Sequence, residues 1–403
     1  MFWYWFWLVM IVVDAAWWVA AMRLTKRSLW RVVVSVFMAA QIVAVFSDKI
    51  CGMEWPLYAP KFVLVSVLVW HRFVLPFALA VLLLLGFARA CAWIVQRKPQ
   101  AAKLWRNRSE ATAPPAANSL TRREFMGACA TLTPPLFTIG STAVALAQLN
   151  HFRVRRFTLS IPALPQALDG TTIAHVSDMH VGRFTCGRVL REMVNQTNAL
   201  RADLVLLTGD LIHNDLTDLS DAIALVKAME GRYGLWMIEG NHDLFENGDE
   251  FDRRVKAAGV PLLLDESAVA NVRGCPVQFF GLRWRGEARG ENQERDRFIA
   301  LQMRQVMKRR QPDAFPILLA HHPHAFDAAV KADLPLTLSG HTHGGQWMFD
   351  SRRGVGPVLF RYWSGLYKRA RSQMIVSNGV GNVFPIRINA PAEIVHITLR
   401  CQS

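Results

Sequence analysis

Apolar residues fill most of the first 150 positions, then thin into short runs separated by turns. Residues 2–22 are almost wholly apolar, with Trp and Tyr near the start and Trp again towards the end. This run is long enough to cross a bilayer as a helix. Asp14 lies inside it. An acid at that depth needs a partner, and the pattern predicts that it faces another helix. A basic loop follows (Arg23, Lys26, Arg27, Arg31), then a second apolar run over about 32–46. Residues 62–95 are apolar with breaks at His71-Arg72, Pro76 and Arg89. The part before His71 is too short to cross alone, so one span is predicted at roughly 69–95. Residues 1–95 therefore hold three predicted transmembrane helices.

Residues 96–123 change character, carrying Arg97, Lys98, Lys103, Arg106, Arg108, Arg122 and Arg123 among Ala and Pro. They predict a basic cytoplasmic linker. Residues 124–148 form a moderately apolar segment. It is either a fourth span or, because Thr121-Arg122-Arg123-Glu124-Phe125 resembles a twin-arginine export signal, a signal anchor. In both cases the positive-inside rule puts 23–31 and 96–123 in the cytoplasm. Everything after Asn150 then emerges on the opposite side.

Beyond 150 the periods shorten. Residues 152–161 mix Arg153, Arg155 and Arg156 with apolar positions. They predict a strand whose basic side chains meet anionic headgroups or solvent. A β-branched run at 171–177 ends in Asp178-Met179-His180, a carboxylate and an imidazole suited to a metal at a strand end. The strand at 202–208 closes on Gly209-Asp210, where a carboxylate can bridge two cations because both oxygens carry free lone pairs. The strand at 234–238 runs into Gly240-Asn241-His242-Asp243. Asn241 offers a neutral oxygen, and His242 stands close enough to act on substrate. Helices are predicted at 188–200, 219–229, 249–259 and 298–309, and further strands at 260–271 and 277–282. Residues 287–297 read as a charged loop and helix start. The strand at 316–320 ends in His321-His322-Pro323-His324. The strand-end position favours His321 as the ligand, with His322 and His324 as competitors at the surface. The run 334–338 leads into Gly340-His341-Thr342-His343-Gly344-Gly345, two histidines one residue apart in a turn that glycine permits. Closing strands are predicted at 374–377 and 393–399.

The 403 residues suffice for a membrane region plus one sizeable domain, 151–403. A net charge of +15 points to nucleic acid or an anionic surface. Many of the basic residues flank the apolar segments, and no nucleic-acid-binding motif is present, so the anionic surface is preferred. The six cysteines include no CxxC pair. They predict no disulfide framework, with one pair among Cys186, Cys275 and Cys401 left open.

The ordered set DxH, GD, GNHD, H and GHTH resembles the calcineurin-like metallophosphoesterases. The tail motifs GHTHGGQ, YWSGLY (362–367), SNGVG (377–381) and PIR (385–387) are similar to the membrane-associated, YkuE- and YaeI-like branch. The resemblance covers about 155–400. It implies a calcineurin-like four-layer α/β sandwich with two mixed β-sheets, here preceded by an α-helical membrane region of about four spans. It further implies two divalent metal ions (Mn, Fe or Zn). Asp178, His180 and His343 would hold one and Asn241, His321 and His341 the other, with Asp210 bridging and His242 as the catalytic histidine. Many relatives carry an acid three residues after the bridging Asp, where this chain has His213. The partner of His242 is thereby open, with Asp243 and Asp215 as candidates. The implied reaction is phosphodiester, phosphomonoester or pyrophosphate hydrolysis by metal-activated hydroxide, at a bacterial inner membrane, multi-pass, with the domain on the extracytoplasmic side. The expected partners are the lipid bilayer and a phosphorylated substrate that is lipid-linked or belongs to the cell envelope. A UDP-2,3-diacylglucosamine pyrophosphatase-type activity and a membrane-anchored sensor or scaffold with an inactive domain are the alternatives. Oligomeric state is not legible.

Overall fold

The structure is a computed structural model, described here for residues 2–50, 60–96, 121–149, 152–284 and 292–402. It divides into two compact units, Met1–Leu146 and Ala147–Ser403. The predicted linker falls outside the described residues over 97–120, as do Asn150 and 285–291 of the charged loop.

The first unit is helical. α1 (Phe2–Leu24) and α2 (Ser28–Ile50) cover the first two apolar runs. α3 (Lys61–Val69) and α4 (Leu75–Gln96) are joined without a break by a π-turn at Trp70–Val74. The third helical stretch thus begins at Lys61, earlier than the predicted 69. Pro76 lacks an N–H and would crowd the carbonyl four residues back, and the wider π-turn beside it absorbs that misfit. Asp14 does face another helix: Trp70 Nε1 donates to its Oδ1 at 2.9 Å, and His71 Nε2 lies 2.9 Å from Oδ2. α5 (Arg122–Leu149) opens with a capping box, in which the Glu124 N–H donates to Thr121 Oγ1 and the Thr121 N–H to Glu124 Oε2. Among the described residues, Ser28–Val45, Lys61–Ile94 and Glu124–Leu149 are long and apolar enough to cross a membrane.

The second unit stacks two mixed sheets between helices. Its elements are β1 (Phe152–Ile161), β2 (Thr172–Val176), α6 (Arg188–Ala199), β3 (Leu204–Thr208), α7 (Leu219–Lys227), β4 (Leu235–Ile238), α8 (Gly248–Ala257), β5 (Glu266–Val272), β6 (Cys275–Gly281), α9 (Asn292–Met307), β7 (Phe315–Leu319), α10 (Ala325–Lys331), β8 (Leu336–Ser339), α11 (Val355–Leu359), β9 (Gly365–Arg369), β10 (Ser372–Val376) and β11 (Ala392–Cys401). One sheet runs β1-β11-β2-β3-β4 and the other β5-β6-β7-β8-β10-β9. The inner slab is formed by Ile173, Leu204, Leu206 and Ile238 from the first sheet against Phe279, Ile317, Leu319, Leu336 and Leu338 from the second. Burying each such side chain is worth roughly 1.5–3 kcal/mol. Outer faces are covered by α6, α7 and α8 on one side and by α9 and α10 on the other. Strands buried on both faces explain the unbroken apolar runs of β3 and β7. The sequence pattern missed β9, α10 and α11, and it started β5 too early, since 260–265 is a connection.

Arg153 and Arg155 on β1 converge on the buried carboxylate of Glu393 (2.9 and 3.4 Å). Both arginines remain partly exposed on this edge strand while holding that carboxylate. The described cysteines are all free.

Candidate metal centre

The predicted ligands leave the C-terminal ends of β2, β3, β4, β7 and β8, where the two sheets meet. Asp178, His180, Asp210, His341 and His343 all have positive φ. L-residues adopt that conformation at a cost of order 1–3 kcal/mol and keep it where surrounding bonds over-determine it. Those bonds are present: Asp178 N–H donates to Gly209 O and His180 N–H to Asp210 O, and the His341 N–H donates to Asp178 Oδ1 at 2.9 Å. Two glycines are there for space. A Cβ on Gly340 would lie 1.9 Å from Ser177 Oγ, and one on Gly240 would lie 2.2 Å from Asp210 Oδ1.

Two donor groups result. Asp178, His180 and His343 offer ligand atoms within 4.8 Å of one another, and so do Asp210, His321 and His341. In the first, His180 Nε2 faces His343 Nε2 at 3.1 Å and His343 Nε2 lies 3.4 Å from Asp178 Oδ1. In the second, His341 Nδ1 lies 3.0 Å from Asn241 Oδ1 and 3.3 Å from His321 Nε2. Asp210 stands between them through a single atom: its Oδ2 is 3.5 Å from His180 Nε2 and 3.1 Å from His321 Nε2. Its Oδ1 is taken by the His242 N–H at 2.8 Å.

Imidazole nitrogens facing each other at these distances cannot all be satisfied by one another, and Nδ1 of the buried His180 has no hydrogen-bond partner among the described residues. Converging nitrogen and carboxylate donors of this kind fit divalent cations. Charge balance points the same way. Burial holds His180 and His343 well below the usual imidazole range and takes His341 to about 3. His321 goes the other way: burial opposes its charge, but the Asp210 carboxylate, aided by Asp178 and the Thr208 carbonyl, pushes it up to about 9. Asp210 is held well below the carboxylate range, since His321 and its neighbours outweigh the effect of burial. Burial, with the Asp210 charge adding to it, raises Asp178 to about 6.

His242 sits at the edge of the first group, its ring 4.6 Å from that of His180. Its Nδ1 faces two oxygens, the backbone carbonyl of His213 and Asn214 Oδ1 at 2.9 Å. A carbonyl only accepts, so Nδ1 carries the proton. Neither sequence candidate fills this place. Asp243 receives the Ile212 and Gly240 N–H groups at 3.0 and 2.8 Å, tying two site loops together. Asp215 accepts from the Thr217 N–H. An amide and a carbonyl thus stand where many relatives use an acid. The His213 side chain itself lines the site, grouped with His180 and His242.

His322 and His324 are not surface residues. Both are half-buried, their Nδ1 atoms are 3.0 Å apart, and His322 packs against both His341 and Trp284, whose own rings lie 5.1 Å apart. Trp284 is placed by its N–H donating to Glu239 Oε1 at 3.0 Å, and Arg283 Nε donates to the same oxygen at 3.1 Å. Burial, reinforced by Asp252, pushes the Glu239 carboxyl up to about 9. A cavity of about 40 Å³ opens beside these residues, lined by Trp284, Phe298, Ile299, Gln302, His321 and His322.

Arg387, the last residue of the PIR motif, is wholly buried. Its guanidinium donates to Asn378 O at 2.8 Å, Ala390 O at 3.1 Å, Asn382 Oδ1 at 3.0 Å and Gly381 O, and it reaches the His343 carbonyl at 3.4 Å. It ties the 378–382 loop to the turn that carries His343. A buried arginine with carbonyl partners leaves no periodic signal in a sequence.

Residues 171–345 match the family model described as calcineurin-like phosphoesterase. A transmembrane protein with metallophosphoesterase domain from Danio rerio is 26% identical over 260 residues, covering 60% of this chain and 56% of the relative. The metallophosphoesterase YkuE of Bacillus subtilis is 27% identical over 300 residues, covering 70% of this chain and 98% of that protein. Among solved structures, a dimetal phosphatase from Danio rerio aligns at 14% identity with a TM-score of 0.32, covering 54% of this chain and 89% of that one. The chain spans little more than half the length of the transmembrane relatives it matches.

Proposed function

We propose that the chain, whose residues 171–345 match the calcineurin-like phosphoesterase model, is a membrane-anchored, binuclear-metal phosphoesterase. Its substrate is a phosphodiester, phosphomonoester or pyrophosphate on a lipid-linked or cell-envelope molecule. The observation that carries this reading is the single Asp210 oxygen shared by two histidine-rich donor groups.

Asp178, His180 and His343 would hold one ion, Asn241, His321 and His341 the other, with Asp210 common to both. The mixed nitrogen and oxygen donors suit Mn, Fe or Zn. Bound there, two such ions supply charge neutralisation at the phosphoryl oxygens and an activated water. The chain's own residues do the rest. Ser177 Oγ donates to Asp178 Oδ2 and the His341 N–H to Asp178 Oδ1, which fixes that carboxylate. The His242 N–H orients Asp210. In its imidazolium form, with Nδ1–H committed to His213 O and Asn214 Oδ1, His242 can hand its Nε2 proton to the leaving oxygen or donate it in a hydrogen bond to the phosphoryl group. The apolar helices anchor the chain in a bilayer, and the positive flanks put the domain on the extracytoplasmic side.

The test is turnover by the purified full-length chain, stripped by chelator and refilled with Mn²⁺, on a nitrophenyl phosphodiester and monoester. Metal-dependent hydrolysis lost in Asn241→Ala and His343→Ala supports the reading. No hydrolysis of either ester, together with fewer than two ions bound per chain, overturns it.

A further inference from the structure

Large apolar side chains stand in solvent on one side of the domain: Phe349 (70% exposed), Val358 (82%), Leu359 (66%) and Phe384 (45%). They belong to segments bonded together. The Met348 N–H donates to Ile388 O, the Ile388 N–H to Gln346 O and the Val355 N–H to Trp347 O. The same rim begins at the metal centre, since the Gln346 N–H donates to His343 O and the Phe360 ring lies 6.4 Å from that of His341. Arg352, Arg353 and Arg361 are exposed along it, Arg353 pairing with Asp350 and Arg361 with Asp327, each at 2.9 Å.

The position of this rim along the chain says what covers it. Asn389 Nδ2 donates to Met348 O at 3.0 Å and to Phe349 O at 3.3 Å, while its N–H donates to Gln148 Oε1 at 2.9 Å. Asn382 Nδ2 reaches Leu149 O at 3.3 Å. Gln148 and Leu149 end α5, whose stretch Glu124–Leu149 is apolar enough to cross a membrane. The end of a span lies at the lipid–water interface, so a rim clamped to Gln148 lies there too. Exposed Phe, Val and Leu beside arginines are what such an interface selects when it carries anionic lipid.

We propose that the rim formed by 347–361 and 382–389 docks into an anionic lipid leaflet and sets the metal centre against phosphates borne by lipid. The docking stands on the geometry of the rim; its consequence for substrate choice rests on the phosphoesterase reading above.

The experiment uses the full-length chain, with native cysteines replaced by serine, in vesicles of phosphatidylcholine with or without phosphatidylglycerol. An environment-sensitive fluorophore is placed at Phe349→Cys or Val358→Cys, and at Val269→Cys on β5 as a control. Docking predicts that nitroxide-labelled lipid quenches the first two several-fold more than the third, and more so with phosphatidylglycerol. Equal quenching at all positions overturns it. So does shielding of positions 349 and 358 without lipid quenching, which assigns the rim to a second copy or another protein. In a second arm, the Phe349→Ser/Leu359→Ser variant is assayed on a nitrophenyl phosphodiester in water and on the same head group carried by diacylglycerol in vesicles. A fall of about tenfold on the vesicle substrate with the soluble rate unchanged supports docking; equal rates on both overturn its role in substrate choice. If wild type hydrolyses neither, the phosphoesterase reading fails while the quenching result still decides the docking.

Discussion

Replacing Arg387 by Met should loosen the metal centre from behind. The magnitude comes from two opposed effects. Burial takes the guanidinium from 12.5 down to about 10, a cost of roughly 3 kcal/mol to the charged form. The group stays protonated at neutral pH, and a methionine would relieve that cost. Against it stand the acceptors: Asn378 O, Gly381 O, Ala390 O and Asn382 Oδ1 would each lose a charged donor inside the protein. A buried acceptor left without a partner costs about 1–3 kcal/mol. Four of them cost about 4–12 kcal/mol together, which outweighs the relief and leaves a net loss of about 1–9 kcal/mol. The loss should be local. Amide exchange, read by mass spectrometry on the full-length protein, should accelerate in 340–346 and 377–382 well before the inner slab responds. Bound metal should fall from two ions towards one, because His343 hangs on that turn. Arg387→Lys keeps the charge but supplies fewer donors in a different geometry, and it should fall between the two. Unchanged exchange and full metal content in Arg387→Met would refute the reasoning and make the buried charge a bystander.

Asp210→Asn should remove most of both ions and lower kcat by at least about a thousandfold, since one oxygen serves both groups; metal analysis beside turnover checks it. Asn214→Ala should lower kcat about 10- to 100-fold with metal content unchanged, because it frees the His242 ring without touching a ligand; equal loss of metal would show a structural role instead. Glu239, raised to about 9 in the folded state from an ordinary 4.5, binds its proton more tightly folded than unfolded. Its contribution to stability is therefore full below about pH 4.5 and declines as pH rises towards 9. Thermal melts of the metal-free protein should show Glu239→Gln flattening that decline; identical slopes in both proteins would remove Glu239 as its source.

Much of the site was legible in the chain because its chemistry is local. A metal ligand must be one of few residue types, and each one follows an apolar run that can only be a buried strand. DxH, GD, GNHD, the histidine after β7 and GHTH therefore stand out as candidate ligands, and the structure brings Asp178, His180, Asp210, Asn241, His321, His341 and His343 together. The apolar runs of the first half likewise announced helices. What sequence alone could not reach were contacts between segments far apart in the chain. His242 is oriented by His213 O and Asn214 from the β3–α7 connection, whereas the sequence offers Asp243 and Asp215 for that place. Trp284 and His322 became part of the site only when β6 and β7 paired. Arg153 pairs with Glu393 because the C-terminal β11 inserts between β1 and β2. Side-chain type and strand period are properties of a residue and its near neighbours, and the sequence states them. Hydrogen-bond partners across a hundred or more residues depend on which strands lie side by side, and only the folded chain decides that.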